Sequence, residues 1–99
     1  MNYKPSIDSI VEAAIKRTGI QKKWLYATGR GPAWASNARH VVLAVVREFG
    51  YDYHAVQDEF RRDATSYANS VHRVKNDRIL SKLADQISND VWTFDPRTA

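Results

Sequence analysis

Apolar residues in the first part of the chain recur with a helical period. Ile7, Ile10, Val11, Ala14 and Ile15 stand at i, i+3, i+4, i+7 and i+8, which lines one side of an amphipathic helix over roughly 7–18. Ser6 is placed to cap its start and Gly19 to end it in a left-handed turn, while Lys16 and Arg17 suit the negative end of its dipole. Ile20, Trp24 and Leu25 predict a short helical segment over 20–26 that closes over the first helix. Gly29-Arg30-Gly31-Pro32 then breaks regular structure.

Ser36 or Asn37 is expected to cap the next helix, in which Ala38, Val41, Val42, Val45 and Phe49 share a stripe and Gly50 supplies the stop. Its β-branched run would also suit a buried strand, but the 3.6-residue spacing and the two caps favour helix. Asp52 begins a short helix to about Phe60, Arg61-Arg62-Asp63 forms a turn, and a further helix runs from about Ala64 to Asn76. On a helical wheel Tyr67, Ala68, Val71 and Val74 share the inner side, and Arg62, Thr65, Asn69, His72, Arg73 and Asn76 project to the other. Ile79, Leu80, Leu83, Ala84, Ile87 and Val91 write a last helix over about 77–92, followed by a flexible tail at 95–99. With no repeat, low-complexity segment or hairpin signal, the expected architecture is all-α. It is a single domain over 1–99, a bundle of about six helices with a helix-turn-helix between Asp52 and Lys75.

Composition agrees with that plan. A 99-residue chain fits one domain, and 43% hydrophobic residues with 11 aromatics suffice for a core. There is no Cys, which removes disulfides, zinc fingers and thiol nucleophiles together. The longest apolar stretch, Val41 to Val46, falls far short of the ~20 residues that span a bilayer. Asp8 and Glu12 interrupt any signal-peptide pattern near the start. The expected setting is the cytoplasm, with no membrane partner. The net charge of +4 is unevenly spread. Residues 1–30 carry six Lys/Arg against two acids and residues 61–78 five against two, whereas residues 31–60 hold two against four. Brought to one side, the two basic blocks would form a phosphate-binding face.

Catalytic chemistry has little to draw on. His40, His54 and His72 do not pair with one another or with acids at metal-ligand spacing, and no HExxH is present. Gly29-Arg30-Gly31 resembles the start of a nucleotide-binding loop, but the remaining glycine and the preceding strand are missing. The expectation is a non-enzyme with no cofactor, no metal and no small-molecule substrate.

Several blocks in order then carry a resemblance. Ile7-Asp8-Ser9-Ile10, Ala38-Arg39-His40 opening a long apolar helix, Glu59-Phe60-Arg61-Arg62-Asp63-Ala64-Thr65-Ser66-Tyr67, and Val71-His72-Arg73-Val74 span residues 7–76. In that order and spacing the chain resembles the C-terminal DNA-binding domain of the bacterial replication initiator DnaA, here as a stand-alone domain without the ATPase module. The resemblance implies six helices that read short duplex boxes, with a recognition helix in the major groove and an arginine of the preceding loop in the minor groove. It puts Arg62, Asp63, Thr65 and Ser66 at base and phosphate contacts, Asn69 on the backbone, Arg39 at the arginine that opens the long helix, and Arg30 at the minor-groove arm. Arg61, on a phosphate or a guanine edge, with Arg73, Lys22 and Lys23, completes the candidate DNA-binding set.

The departures are local. The family's reading segment is F-G-G-R-D-H-T-T-V, so one glycine before Arg62 is missing and Ala64 stands where the family has histidine. Ala64 has no hydrogen-bond donor for a base, although its methyl can pack on a thymine methyl, which points away from the family's usual box. The expected function is double-stranded DNA binding by a nucleoid-associated regulator of replication initiation or transcription, in a bacterium or its phage. Replication or transcription proteins are further expected partners. The alternative is an adaptor or decoy in replication control that keeps the fold and not the sequence reading. Trp24 and Trp34 are expected to pack, with Trp34 also able to touch a sugar or a partner protein. Trp92 and Phe94 either cap the core or form a patch for self-association.

Overall fold

The computed structural model describes residues 5–26, 32–61 and 64–94, with side chains to Trp92. Six helices follow one another: α1 (Ile7–Thr18), α2 (Lys22–Tyr26), α3 (Ala33–Glu48), α4 (Tyr53–Phe60), α5 (Ala64–Lys75) and α6 (Arg78–Phe94). No strand occurs among the described residues, so the all-α expectation is met. The expected tail at 95–99 lies outside them.

Capping chemistry sets most of the ends. Ser6 Oγ accepts from Ser9 N at 3.1 Å at the start of α1, and Gly19, at φ 73°, donates its N–H to Ile15 O at the other end. Asp52 Oδ1 accepts from Ala55 N at 3.2 Å to open α4. Asp77 Oδ1 accepts from both Ile79 N and Leu80 N to open α6.

The start of α3 corrects the expectation. The helix begins at Ala33, a turn before Ser36 and Asn37, with Pro32 as its N-cap residue. Pro32 O accepts from both Ala35 N and Ser36 N at 3.1 Å. Proline lacks an N–H, but the first residues of a helix have no carbonyl partner for theirs, so Pro32 breaks the chain before it and starts a helix after it.

Helix α3 is the axle of the bundle and packs against α1, α2, α5 and α6. Ala35, Ala38, Val41, Val42, Leu43, Val45 and Val46 are all buried on it, so its apolar surface runs nearly all round rather than along one stripe. Ile10, Val11 and Ala14 of α1, Leu25 of α2, Val56 and Phe60 of α4, and Leu80, Ala84, Ile87 and Val91 of α6 complete the core. Arg17 Nε and Nη2 donate to the two carboxylate oxygens of Asp90 at 2.8 and 2.7 Å, tying α1 to α6.

Two apolar assignments are corrected. Ile79 is 79% exposed. It sits ~100° round the helix from Leu80, off the Leu80, Ala84, Ile87 and Val91 line. Ala68 is exposed as well, and the buried side of α5 is completed by Ser70. Trp92 is part exposed and packs edge-on against Phe49 with ring centroids 5.3 Å apart, so it covers one end of the core. The Phe94 side chain lies outside the described residues.

Truncating α6 on its two sides separates these roles. Ile87→Ala removes a side chain that is 1% exposed and is expected to cost about 2–5 kcal/mol in urea unfolding. Ile79→Ala is expected to stay within about 0.5 kcal/mol of the native protein.

Candidate nucleic-acid interface

Helix α5 is held against the bundle by three side chains of different character. Val74 is buried apolar contact. Tyr67 is 4% exposed, and its hydroxyl donates to Tyr51 O at 2.8 Å. Ser70 is 3% exposed, with its Oγ 2.8 Å from His40 Nδ1, while the His40 Nε2 edge faces Ser36 Oγ at 3.4 Å. That Ser–His pair is a strut between α3 and α5, closed off from any substrate by the burial of the Ser70 hydroxyl.

The positions left over by that anchoring face outward. Thr65, Asn69 and Arg73 are exposed along α5, with His72 and Lys75 beside them and Asn76 exposed just past its end. Ser66 is half-buried and carries an intramolecular contact of its own. On the flank toward α4, Arg47, Tyr53, Ala68, His72 and Lys75 line a groove of about 470 Å³. Arg47 and Lys75 are cations that the sequence reading did not select. Arg47 had no signal in the chain beyond being a charged residue at the end of an apolar helix, and only folding sets it beside α5.

Arg61 ends α4 in the left-handed conformation, φ 56° and ψ 43°, with its N–H donating to Gln57 O at 3.0 Å. It is the sole non-glycine residue with positive φ among the described ones. This is the position after Phe60, where the DnaA-type segment has its first glycine. A side chain there costs roughly 1–2 kcal/mol of backbone strain. The ring of Phe60 stacks on Tyr26 at 5.1 Å, and Lys22 Nζ lies 5.8 Å from the centroid of that tyrosine. Lys22 therefore stands beside the aromatic pair, and Arg61 follows Phe60 directly at the end of α4. Lys23 goes elsewhere. Its ammonium is 5.7 Å from the Trp24 ring, and Trp24 meets Trp34 edge-on at 5.4 Å. Consecutive helical positions point ~100° apart, so the lysine pair divides between two surfaces.

Arg39 is a correction. It is 6% exposed, and its Nη1 donates to Trp24 O at 3.0 Å. The carbonyls at the end of a helix lack partners within it, and the guanidinium of Arg39 reaches across from α3 to satisfy one for α2. It is a buried brace between helices and not a surface contact. Arg17 is likewise committed to Asp90, so the basic excess of residues 1–30 does not form one face. Arg30, Arg62 and Asp63 of the candidate set lie outside the described residues.

Burial pushes several phenols up. The Tyr26 hydroxyl, desolvated and donating to Glu59 Oε1 at 3.0 Å, titrates well above the ordinary tyrosine range. Tyr67 is pushed up to about 12, mainly by burial, with Arg47 opposing and Asp52 adding to the shift. Among the described residues no group of three or more His, Cys, Asp or Glu is placed to hold a metal ion, and no helix is long and apolar enough to cross a membrane. Comparison with protein-family models, with curated proteins and with solved structures finds no match to this chain.

Two outcomes follow from the anchoring of α5 and α2. Arg39→Met leaves Trp24 O without its donor and is expected to lower stability by about 1–3 kcal/mol in denaturant unfolding. Tyr67 is held neutral to higher pH in the folded chain than in the unfolded one, whose phenol titrates near the ordinary tyrosine value of 10.0. Its contribution is therefore complete below pH 10 and is lost as pH rises from 10 towards 12. Thermal melts across that window should show a shallower fall for Tyr67→Phe than for the native chain.

Proposed function

We propose that the protein binds double-stranded DNA by laying α5 in the major groove, and that it regulates replication initiation or transcription. The observation that carries this reading is the outward row Thr65, Asn69 and Arg73 on a helix whose opposite side is locked by Tyr67, Ser70 and Val74. A hydroxyl, an amide and a guanidinium are the groups that read base edges and grip phosphates. They gain from a rigid mount, because each contact then costs less ordering on binding.

The surroundings support it. Arg61 in the turn before α5, with Arg47 and Lys75 along one flank, provides cations where a duplex backbone would run beside an inserted helix, and Lys22 adds another beside the Tyr26–Phe60 pair. A strained backbone at Arg61 is readily understood if the cation is wanted at that turn more than the strain is costly. The resemblance of residues 7–76 to the DnaA DNA-binding domain leads to the same reading. Nucleoid association follows from it, and Ala64 points to a site other than the family's box.

Fluorescence anisotropy with labelled duplexes at graded salt tests this. Binding should weaken steeply, with each neutralised phosphate adding roughly −0.9 to the slope of log K against log salt. Absence of duplex binding at low salt would sink the proposal. Thr65→Ala or Asn69→Ala should relax sequence preference, at about 1–3 kcal/mol for the base concerned. Lys22→Gln should weaken all duplexes alike and reduce the slope by about 1. Arg61→Gly separates folding from binding: stability should hold or rise by about 1 kcal/mol as strain is relieved, while duplex affinity falls.

A further inference from the structure

The outward side of α5 is divided by length and chemistry as well as by direction. Buried Tyr67, Ser70 and Val74 fix its inner side. At ~100° per residue, Thr65 and His72 point almost directly away from them, Ala68 and Asn69 stand ~50° to either side of that outward line, and Lys75 and Arg73 stand ~80° to the same two sides. The neighbouring helices agree with this division. Ala68 and Lys75 line the groove toward α4 together with Arg47, and Thr65, Asn69 and Arg73 do not. Short side chains thus lie close to the outward line and long cations lie far from it.

A helix of about 10–12 Å diameter nearly fills a major groove about 12 Å wide, so groups near its outward line meet the floor and groups nearer a right angle meet the two backbones. Lys75 and Arg73 are exposed, lie within one turn of each other and pair with no acid among the described residues, so they suit opposite strands. Thr65, Ala68 and Asn69 are exposed in the first half of α5, the part of a recognition helix that approaches base edges. His72 turns its ring to Asn76 toward the other end. The Asn69 amide makes no hydrogen bond to another described residue and carries a donor and an acceptor in one plane, the complement of adenine N7 and N6. Ala68 offers only a methyl, and thymine is the one base with a methyl in the major groove. Resting on the duplex reading above, we propose that α5 selects an A·T pair, with the Asn69 amide on the adenine and the Ala68 methyl against the thymine of the same or an adjoining pair. The DnaA resemblance puts Asn69 on the backbone. The helix geometry gives that place to Arg73, which is longer and stands farther from the outward line.

The test uses the full chain to select from a library of random duplexes, followed by fluorescence anisotropy on the enriched duplex with single base replacements. 7-Deazaadenine removes the N7 acceptor and uracil removes the thymine methyl, and both keep Watson–Crick pairing. One adenine should lose about fivefold or more in affinity as 7-deazaadenine. A thymine in the same or the adjoining pair should lose roughly threefold as uracil. Asn69→Ala should bind the adenine and 7-deazaadenine duplexes equally, which assigns that contact to this side chain. Ala68→Gly should bind the thymine and uracil duplexes equally, and Ala68→Leu, which crowds the methyl, should favour uracil. All three variants change exposed positions, so circular dichroism should show them folded. Arg73→Gln and Lys75→Gln should weaken every duplex and keep the base preference. Absence of duplex binding overturns the duplex reading and this assignment with it. Duplex binding in which no A·T pair is enriched, Asn69→Ala stays sensitive to 7-deazaadenine, Ala68→Gly stays sensitive to uracil, or Arg73→Gln alone loses the preference overturns the assignment and leaves the duplex reading standing.

Discussion

Helix α3 has to be buried on nearly every side, and the rest of the molecule is arranged to do it. Its Ala, Val and Leu positions are spaced too densely for one stripe, so a single neighbouring helix cannot cover them. Four helices pack around it. Burial of that many apolar side chains is the main stabilising contribution in a domain of this size, at ~25 cal/mol per Å² removed from water. Two of the polar residues in the same stretch, Arg39 and His40, are consequently drawn inward with their neighbours and need partners there.

Those partners fix how the other helices sit. Arg39 donates to the last turn of α2, and His40 meets Ser70 of α5. Tyr67 reaches Tyr51 O, and the Tyr51 hydroxyl donates to Pro5 O at 2.7 Å, which links α5 through the α3–α4 connection to the start of α1. Hydrophobic contact tolerates small slips and rotations, whereas a buried hydrogen bond is lost if its partners move by an ångström. The polar struts thus decide the rotation of α5 about its own axis. That rotation sets which of its side chains meet solvent.

The same arrangement divides the surface. Lys22 stands beside the stacked pair Tyr26 and Phe60, and the chain passes from Phe60 through Arg61 to α5 with its outward polar row. On the other side of α2, Lys23 lies over the Trp24 ring, and Trp24 and Trp34 line a groove whose described walls carry no charge and run to α6. A helix of five residues separates these two surfaces.

Much of the fold was legible along the chain. The period of Ile7 to Ile15, the caps at Ser6, Gly19 and Asp52, and the stop at Gly50 are local signals whose energetics involve residues within a turn or two. The outward row Thr65, Asn69 and Arg73 was legible for the same reason, since helical geometry alone separates it from Tyr67 and Val74. What the chain could not reveal depended on partners distant in sequence. Arg39 looks like a surface cation until α2 is placed against it, and Ser70 looks exposed until His40, 30 residues away, faces it. Arg47 becomes a neighbour of α5, and the two adjacent lysines of α2 part company, only when the helices pack. Local periodicity determined which segments are helices and which sides of them are apolar. Tertiary structure decided which charges are buried, which are gathered and which surface each one serves, because those outcomes depend on contacts that exist only after the helices meet.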